Sequence, residues 1–307
     1  MEPMALTAPV HAGTSLHLGA VFPQTEIGRD PADLRLWVTA VEAAGFDYVC
    51  AYDHVLGADP DRPGGWSGPY THDTPFHEVL VLLGWMAGLT ERIELATEVL
   101  VLPQRQAALV AKQAAEVAIL SGGRLRLGVG LGWNAVEYQA LGMSFADRAR
   151  RIEEQIEVMR LLWAEPVVRF QGTWHEIDAA GLNHLPPGGS VPVWMGGQAE
   201  AAIRRAARIA DGWMVNARPG PELDRQLALL GHALREGGRD ARTFGIAGRV
   251  DWRGDAAEVV AQLCGWQRAG ATHASVNTMR AGCTSATDHV AALQAAMAAW
   301  REAQLPG

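Results

Sequence analysis

An aspartate and a histidine, Asp53-His54, close the apolar run at residues 48–52. Histidine has the side-chain proton equilibrium nearest neutral pH, and a neighbouring carboxylate can fix its orientation. The pair reads either as an acid–base site, with Asp53 orienting His54, or as a turn cap beside a packed ring. Gly196-Gly197, followed by Gln198, is a second candidate. Two glycines expose backbone N–H groups where a helix N-terminus adds positive potential, which suits a phosphate and equally a tight strand-to-helix turn. Glu98 follows Thr97 in an otherwise apolar run. A carboxylate there sits near an open mouth or pairs with an arginine or lysine, since burying it alone is costly. Trp133 and Asn134 follow Gly128, Gly130 and Gly132 in the stretch LRLGVGLGWN. Glycines in a buried strand permit close approach of another backbone or a flat ligand. Trp133 could stack on that ligand or serve as a core lid. The same two readings hold for Trp66, Trp194 and Trp213. His72, His77, His175 and His184 have no ligand spacing, so no metal is assigned.

These residues need elements to place them. Apolar runs at 17–22, 48–52, 93–101, 125–131, 191–195, 212–215, 244–250 and 273–276 read as strands. Helical patterns lie between or after them, at about 31–44, 75–89, 106–120, 148–163, 199–210, 221–235, 256–268 and 288–302. Asp30, Pro31 and Gly45 carry cap and stop signals for the first. Eight strands alternating with eight helices predict an α/β fold, a single (β/α)8 TIM barrel. An open doubly wound sheet is weaker, because no early GxGxxG turn is present. Residues 165–187 break the rhythm as an insertion with a small hairpin in VVRFQGTWHEI. Residues 1–14 form a loose leader, and 15–307 one barrel domain. Barrel strands end at one mouth, so Asp53, His54, Thr97, Glu98, Trp133, Asn134, Gly196, Gly197, Gln198, Asn216 and Asn277 would converge there. The long loop 57–74, with Trp66 and Tyr70, reads as a functional cover.

Composition narrows the classes. Hydrophobic residues make up 49% of 307, enough for a sizeable core. A formal net charge of −8 without a basic patch disfavours nucleic acid. Three separated cysteines, Cys50, Cys264 and Cys283, indicate neither disulfide framework nor zinc site. With no signal-peptide pattern and no run of membrane-span length, a cytoplasmic protein is expected. The apolar helix at 75–89, with Val79, Leu82, Leu83 and Met86, offers a homodimer face or packs on the barrel.

Four stretches together carry a resemblance: YVCAYDHVLG (48–57), ATEVLVLPQRQAALVAKQAAEVAILSGGRLRLGVGLGWNAVEYQALG (96–142), RRIEEQIEVMRLLW (150–163) and PVWMGGQAEAAIRRAARIADGWMV (192–215). In their order and spacing the chain resembles the luciferase-like flavin-dependent monooxygenases, and more closely the branch using the deazaflavin F420. The last third matches only by rhythm. The resemblance implies a barrel with its ring cofactor across the strand ends, and a non-proline cis peptide near Glu98-Val99. It places Asp53 and His54 beside the redox centre, and the cofactor tail's phosphate at Gly196, Gly197 and Gln198. Thr97, Glu98, Val99, Trp133 and Asn134 are the remaining implied cofactor contacts. Trp66, Tyr70 and Trp133 would shape an apolar substrate pocket.

Two departures stand out. Trp133 occupies the position where the family's sugar-phosphate dehydrogenases carry a catalytic glutamate, which argues against their proton-acceptor arrangement and a sugar-phosphate substrate. Glu98 stands where many relatives have glycine. The expected function is hydride transfer between F420 and a small organic substrate, with His54 moving the proton. The alternatives are an FMN-dependent (flavin-peroxide) monooxygenase and a non-catalytic flavin-binding barrel.

Overall fold

The computed structural model describes residues 15–305; the expected leader, residues 1–14, lies outside the described residues. The chain runs β1 (His17–Val21), α1 (Pro31–Ala44), β2 (Tyr48–Ala51), α2 (Val79–Ala87), β3 (Glu94–Thr97), β4 (Leu100–Val101), α3 (Ala107–Leu120), β5 (Leu125–Gly130), α4 (Ala135–Ala140) and α5 (Arg148–Ala164). It continues through β6 (Val168–Gln171), β7 (Glu176–Ala180), β8 (Val193–Gly196), α6 (Glu200–Ile209), β9 (Gly212–Met214), α7 (Pro221–Glu236), β10 (Gly245–Asp251), α8 (Ala256–Arg268), β11 (His273–Asn277) and α9 (Ala286–Ala303).

The main sheet has the order β3-β2-β1-β11-β10-β9-β8-β5, and β3 pairs with β5 to close it. Its pairings are all parallel, with helices outside: an eight-position (β/α)8 barrel, as the alternating pattern predicts. The third position is broken. β3 stops at Thr97, the Glu98-Val99 peptide is cis, and β4 resumes the pairing with β5 at Leu100↔Val129. The barrel interior is filled from alternating sides. Trp194 fits because Gly212 and Gly245 face it; a Cβ at those positions would stand 2.4 and 2.0 Å from the indole. Arg126 lies between Tyr48 and Trp194, 4.6 and 4.4 Å from their ring centres, and pairs with Glu94 at 2.6 Å. Stacking on two aromatic faces and one carboxylate offset the cost of taking a guanidinium out of water.

The first helix begins as expected. Asp30 accepts from the Ala32 N–H, Pro31 is the first helical residue, and Gly45 caps the end at φ 84°. The second starts later than expected, at Val79, because the Glu78 carboxylate caps it through the Val81 N–H. Val79, Leu82, Leu83 and Met86 are all buried against the barrel, the second of the two expected alternatives; Val81 is the exposed residue of that helix. The insertion does form a hairpin, β6 with β7. Glu154 of α5 clasps its turn, accepting the N–H groups of Thr173, Trp174 and His175, each at 2.8 Å.

Candidate active site

His54 is placed by the chain leaving β2 and by the short helix α4. Asn134 caps α4: its Oδ1 accepts from the N–H groups of Val136 and Glu137 at 3.0 and 3.4 Å, and its amide donates to the Leu56 carbonyl at 3.3 Å. The sequence pattern predicts no helix between the 125–131 strand and about residue 146. The signal for this one was Asn followed three residues later by Glu, the spacing of a capping box. That start turns Glu137 toward His54. Its Oε2 lies 2.8 Å from His54 Nδ1, and its Oε1 accepts the Val55 and Leu56 N–H groups at 2.5 and 3.2 Å. Glu137 is 1% exposed and His54 11%.

Burial pushes the Glu137 carboxyl up. The His54 hydrogen bond and charge and the two backbone N–H groups outweigh it, leaving the pKa below the ordinary value. An ionised carboxylate only accepts, so Nδ1 of a neutral His54 carries the proton and Nε2 the lone pair. Among the described residues Nε2 has no hydrogen-bond partner. The ring is walled by Tyr70, Phe76 and Trp133, with ring centres 5.0, 4.9 and 5.4 Å away. Trp66 packs on Trp133 at 5.7 Å and donates to the Tyr70 carbonyl at 2.8 Å. The loop 57–74 therefore brings Trp66 and Tyr70 to Trp133 and His54. Phe76 was missed, because it lies in a segment read as helix.

Asp53 does not orient His54, contrary to the sequence expectation. Neighbouring side chains diverge as the chain leaves β2. Asp53 is buried, its Oδ2 accepting the Val101 N–H at 2.9 Å and its Oδ1 pairing with Arg105 at 2.6 Å. Arg105 also holds Glu78 at 2.9 Å. Asp53 thus ties the end of β2 to β4, just past the cis bond.

The glycines of β5 make room for that break. A Cβ at Gly128 would stand 2.1 Å from the Thr97 carbonyl oxygen, and one at Gly130 2.4 Å from Val99. The Thr97 hydroxyl donates to the Gly128 carbonyl at 2.6 Å. The close approach these glycines serve is thus made by strand β3 and the residues after it. Glu98 turns into the barrel, where burial raises its pKa against the opposing hydrogen bonds of Cys50 and Ser275 and the more distant charges of Arg126 and Arg249. Ser275 Oγ lies 3.5 Å from Glu98 Oε2, and among the described residues no arginine or lysine lies within 4 Å, so the expected alternative of an ion pair is not formed.

Gly196 lies on the other side of the break. A Cβ there would be 3.0 Å from Val99. Gly197 adopts φ 137°, open to glycine, and the Trp213 indole holds its carbonyl at 2.8 Å. Helix α6 follows, and Ala199 at its start gives it no side-chain cap. Among the described residues no three His, Cys, Asp or Glu side chains converge as metal ligands, and no helix is long and apolar enough to cross a membrane.

Known proteins resemble the chain in sequence and in fold. The chain is 38% identical over 206 residues to an uncharacterized protein of Mycobacterium tuberculosis, covering 65% of this chain and 70% of that one. It is 32% identical over 222 residues to the F420-dependent glucose-6-phosphate dehydrogenase of Segniliparus rotundus, covering 69% and 62%. Among solved structures, monooxygenase RslO1 from Streptomyces bottropensis superposes with a TM-score of 0.77 at 17% identity, over 94% of this chain and 100% of that one. An F420-dependent secondary alcohol dehydrogenase, solved with an F420–acetone adduct, gives 0.76 at 20% over the same shares. The luciferase-like monooxygenase profile matches residues 4–305, and the chain belongs to that family of oxidoreductases.

Proposed function

We propose that this protein is an F420-dependent oxidoreductase that moves a hydride between the deazaflavin and a small organic substrate. The observation that carries the reading is the His54–Glu137 pair: a histidine with one nitrogen fixed by a buried carboxylate and the other free, walled by aromatic rings at a barrel mouth. The dehydrogenase relatives named for F420 support the choice of cofactor.

The residues fit such a group. Gly197 and the uncapped start of α6 leave backbone N–H groups for a phosphate, with Gly196 and Gln198 beside them. Thr97 and Val99 would back the ring, Trp133 would cover it, and Asn134 would contribute by holding α4. When bound, F420 supplies the two-electron hydride chemistry. The chain supplies the proton path. In substrate oxidation, His54 Nε2 takes the proton of the substrate hydroxyl as the hydride leaves the adjacent carbon. In reduction, the protonated ring returns it. Glu137 stabilises the imidazolium formed in between, and Asp53 keeps the end of β2 tied to β4 beside the break in the third strand. Trp66, Tyr70 and Trp133 exclude water from the pocket.

The test is to incubate the protein with F420 and a panel of small alcohols and aldehydes, and follow the deazaflavin absorbance. Substrate-dependent bleaching or recovery is expected. Oxygen uptake with reduced FMN and no change in F420 would move the reading to the monooxygenase.

A further inference from the structure

The mouth holds a second cluster that the proton path does not use. A cavity of about 290 Å³ is lined by Tyr52, Tyr70, Arg249, Arg253, Asn277 and Arg280, with Asp251 its one acidic lining residue among those described. Arg249 donates to the Tyr52 hydroxyl at 3.2 Å. Asp251 is shared among Arg249, Arg253 and Arg218, at 3.7, 3.9 and 3.5 Å. A committed guanidinium–carboxylate fork closes to about 2.7–2.9 Å, so these contacts leave donors unspent. Arg280 has no carboxylate within 4 Å of its guanidinium among the described residues. Its backbone is held at φ 63°, a left-handed conformation rare outside glycine, with its N–H bound to Glu26 at 2.8 Å. Three lining guanidinium groups to one lining carboxylate, in a chain whose net charge is −8, is a local excess of positive charge.

We propose that this cluster is an oxyanion subsite, and that the substrate carries a phosphate or carboxylate group that binds Arg249, Arg253 and Arg280. Arginine's planar fork matches either group. Tyr70 lines the same cavity, and its ring centre is 5.0 Å from that of His54. An anion held by the arginines therefore directs the rest of a small molecule toward the proton-transfer histidine, where remote binding energy serves orientation. Trp133 departs from the sugar-phosphate dehydrogenases at the proton acceptor only, a position separate from the one that would meet the charged end of the substrate. The word substrate rests on the oxidoreductase reading; the anion site does not.

The experiment is calorimetric titration of cofactor-free protein with inorganic phosphate and, separately, with malonate, for the wild type and Arg253→Gln/Arg280→Gln. F420 titration by fluorescence runs in parallel. One saturable anion site is expected, weakened at least tenfold in the variant, with F420 affinity within twofold of wild type. Both side chains are exposed, so the variant should melt with the wild type; if it does not, the single Arg253→Gln is read instead. Absence of saturable binding, or equal binding by the variant, overturns the proposal. So does an equal loss of F420 affinity, which would assign the arginines to the cofactor's own anionic tail. If the wild type binds phosphate as expected and F420 not at all, the anion site stands and the oxidoreductase reading fails.

Discussion

Replacing Glu137 by glutamine changes one atom and should reverse the role of His54. The carboxylate accepts on both sides: from His54 Nδ1 through Oε2, and from the Val55 and Leu56 N–H groups through Oε1. Backbone N–H groups only donate, so the glutamine oxygen must take their side. Its NH2 then faces Nδ1, which must accept, and the ring proton moves to Nε2. The free nitrogen becomes a donor and the base is lost without a change of shape. General-base catalysis is worth about 10²–10⁴ in rate, so kcat should fall by that order with cofactor affinity unchanged. The lost charge-assisted bond should cost about 1.5–3 kcal/mol of stability. The tautomer can be read without turnover, from the imidazole nitrogen shifts of His54 in labelled protein. A variant with the wild-type tautomer and wild-type kcat would refute the reasoning.

The pH dependence follows from the same carboxylate. Because the folded pKa of Glu137 is lowered from 4.5, its stabilisation is fully present above that value and is lost as pH falls through the folded pKa. The wild type should therefore lose its stability advantage over Glu137→Gln in acid, as thermal melts at pH 3 and pH 7 would show. Asp53→Asn removes the buried pair with Arg105 but leaves Arg105 on Glu78, so urea denaturation should show a loss near the lower end of about 3–5 kcal/mol. Gly128→Ala forces a Cβ onto a backbone carbonyl and Gly130→Ala onto a side-chain methyl. The first should lower the melting midpoint more than the second, within or above about 1–3 kcal/mol. Trp133→Ala removes a 42% exposed ring from the mouth; KM should rise, by up to roughly tenfold for about 1.4 kcal/mol of stacking, with little change in melting temperature.

The barrel was legible because apolar runs and helical patterns alternate along the chain and some helices carry strong local end signals. Asp30, Pro31 and Gly45 bound the first helix where their chemistry says, and the 256–268 helix has the expected limits. The break in the third strand was foreseen only through resemblance, since Thr97-Glu98-Val99 carries no local turn signal. His54 was identifiable from its type and its place at a strand end. Its partner was not, because 83 residues separate it from Glu137 and Asp53 is adjacent in sequence. Sequence adjacency misleads where the chain leaves a strand; only the fold showed that the nearer carboxylate belongs to Arg105. Separation in sequence also hid the arginine cluster, whose members come from the ends of β10 and β11 and the loop after β9.

The most direct measurement of the central claim is an equilibrium titration of purified protein with F420 and with FMN, each oxidised and reduced, followed by fluorescence and absorbance. Saturable binding of F420 in preference to FMN is predicted, and Gly197→Val should weaken it by crowding Ala202 at the proposed phosphate cradle. Preferential binding of reduced FMN, or binding of neither cofactor, would contradict the account.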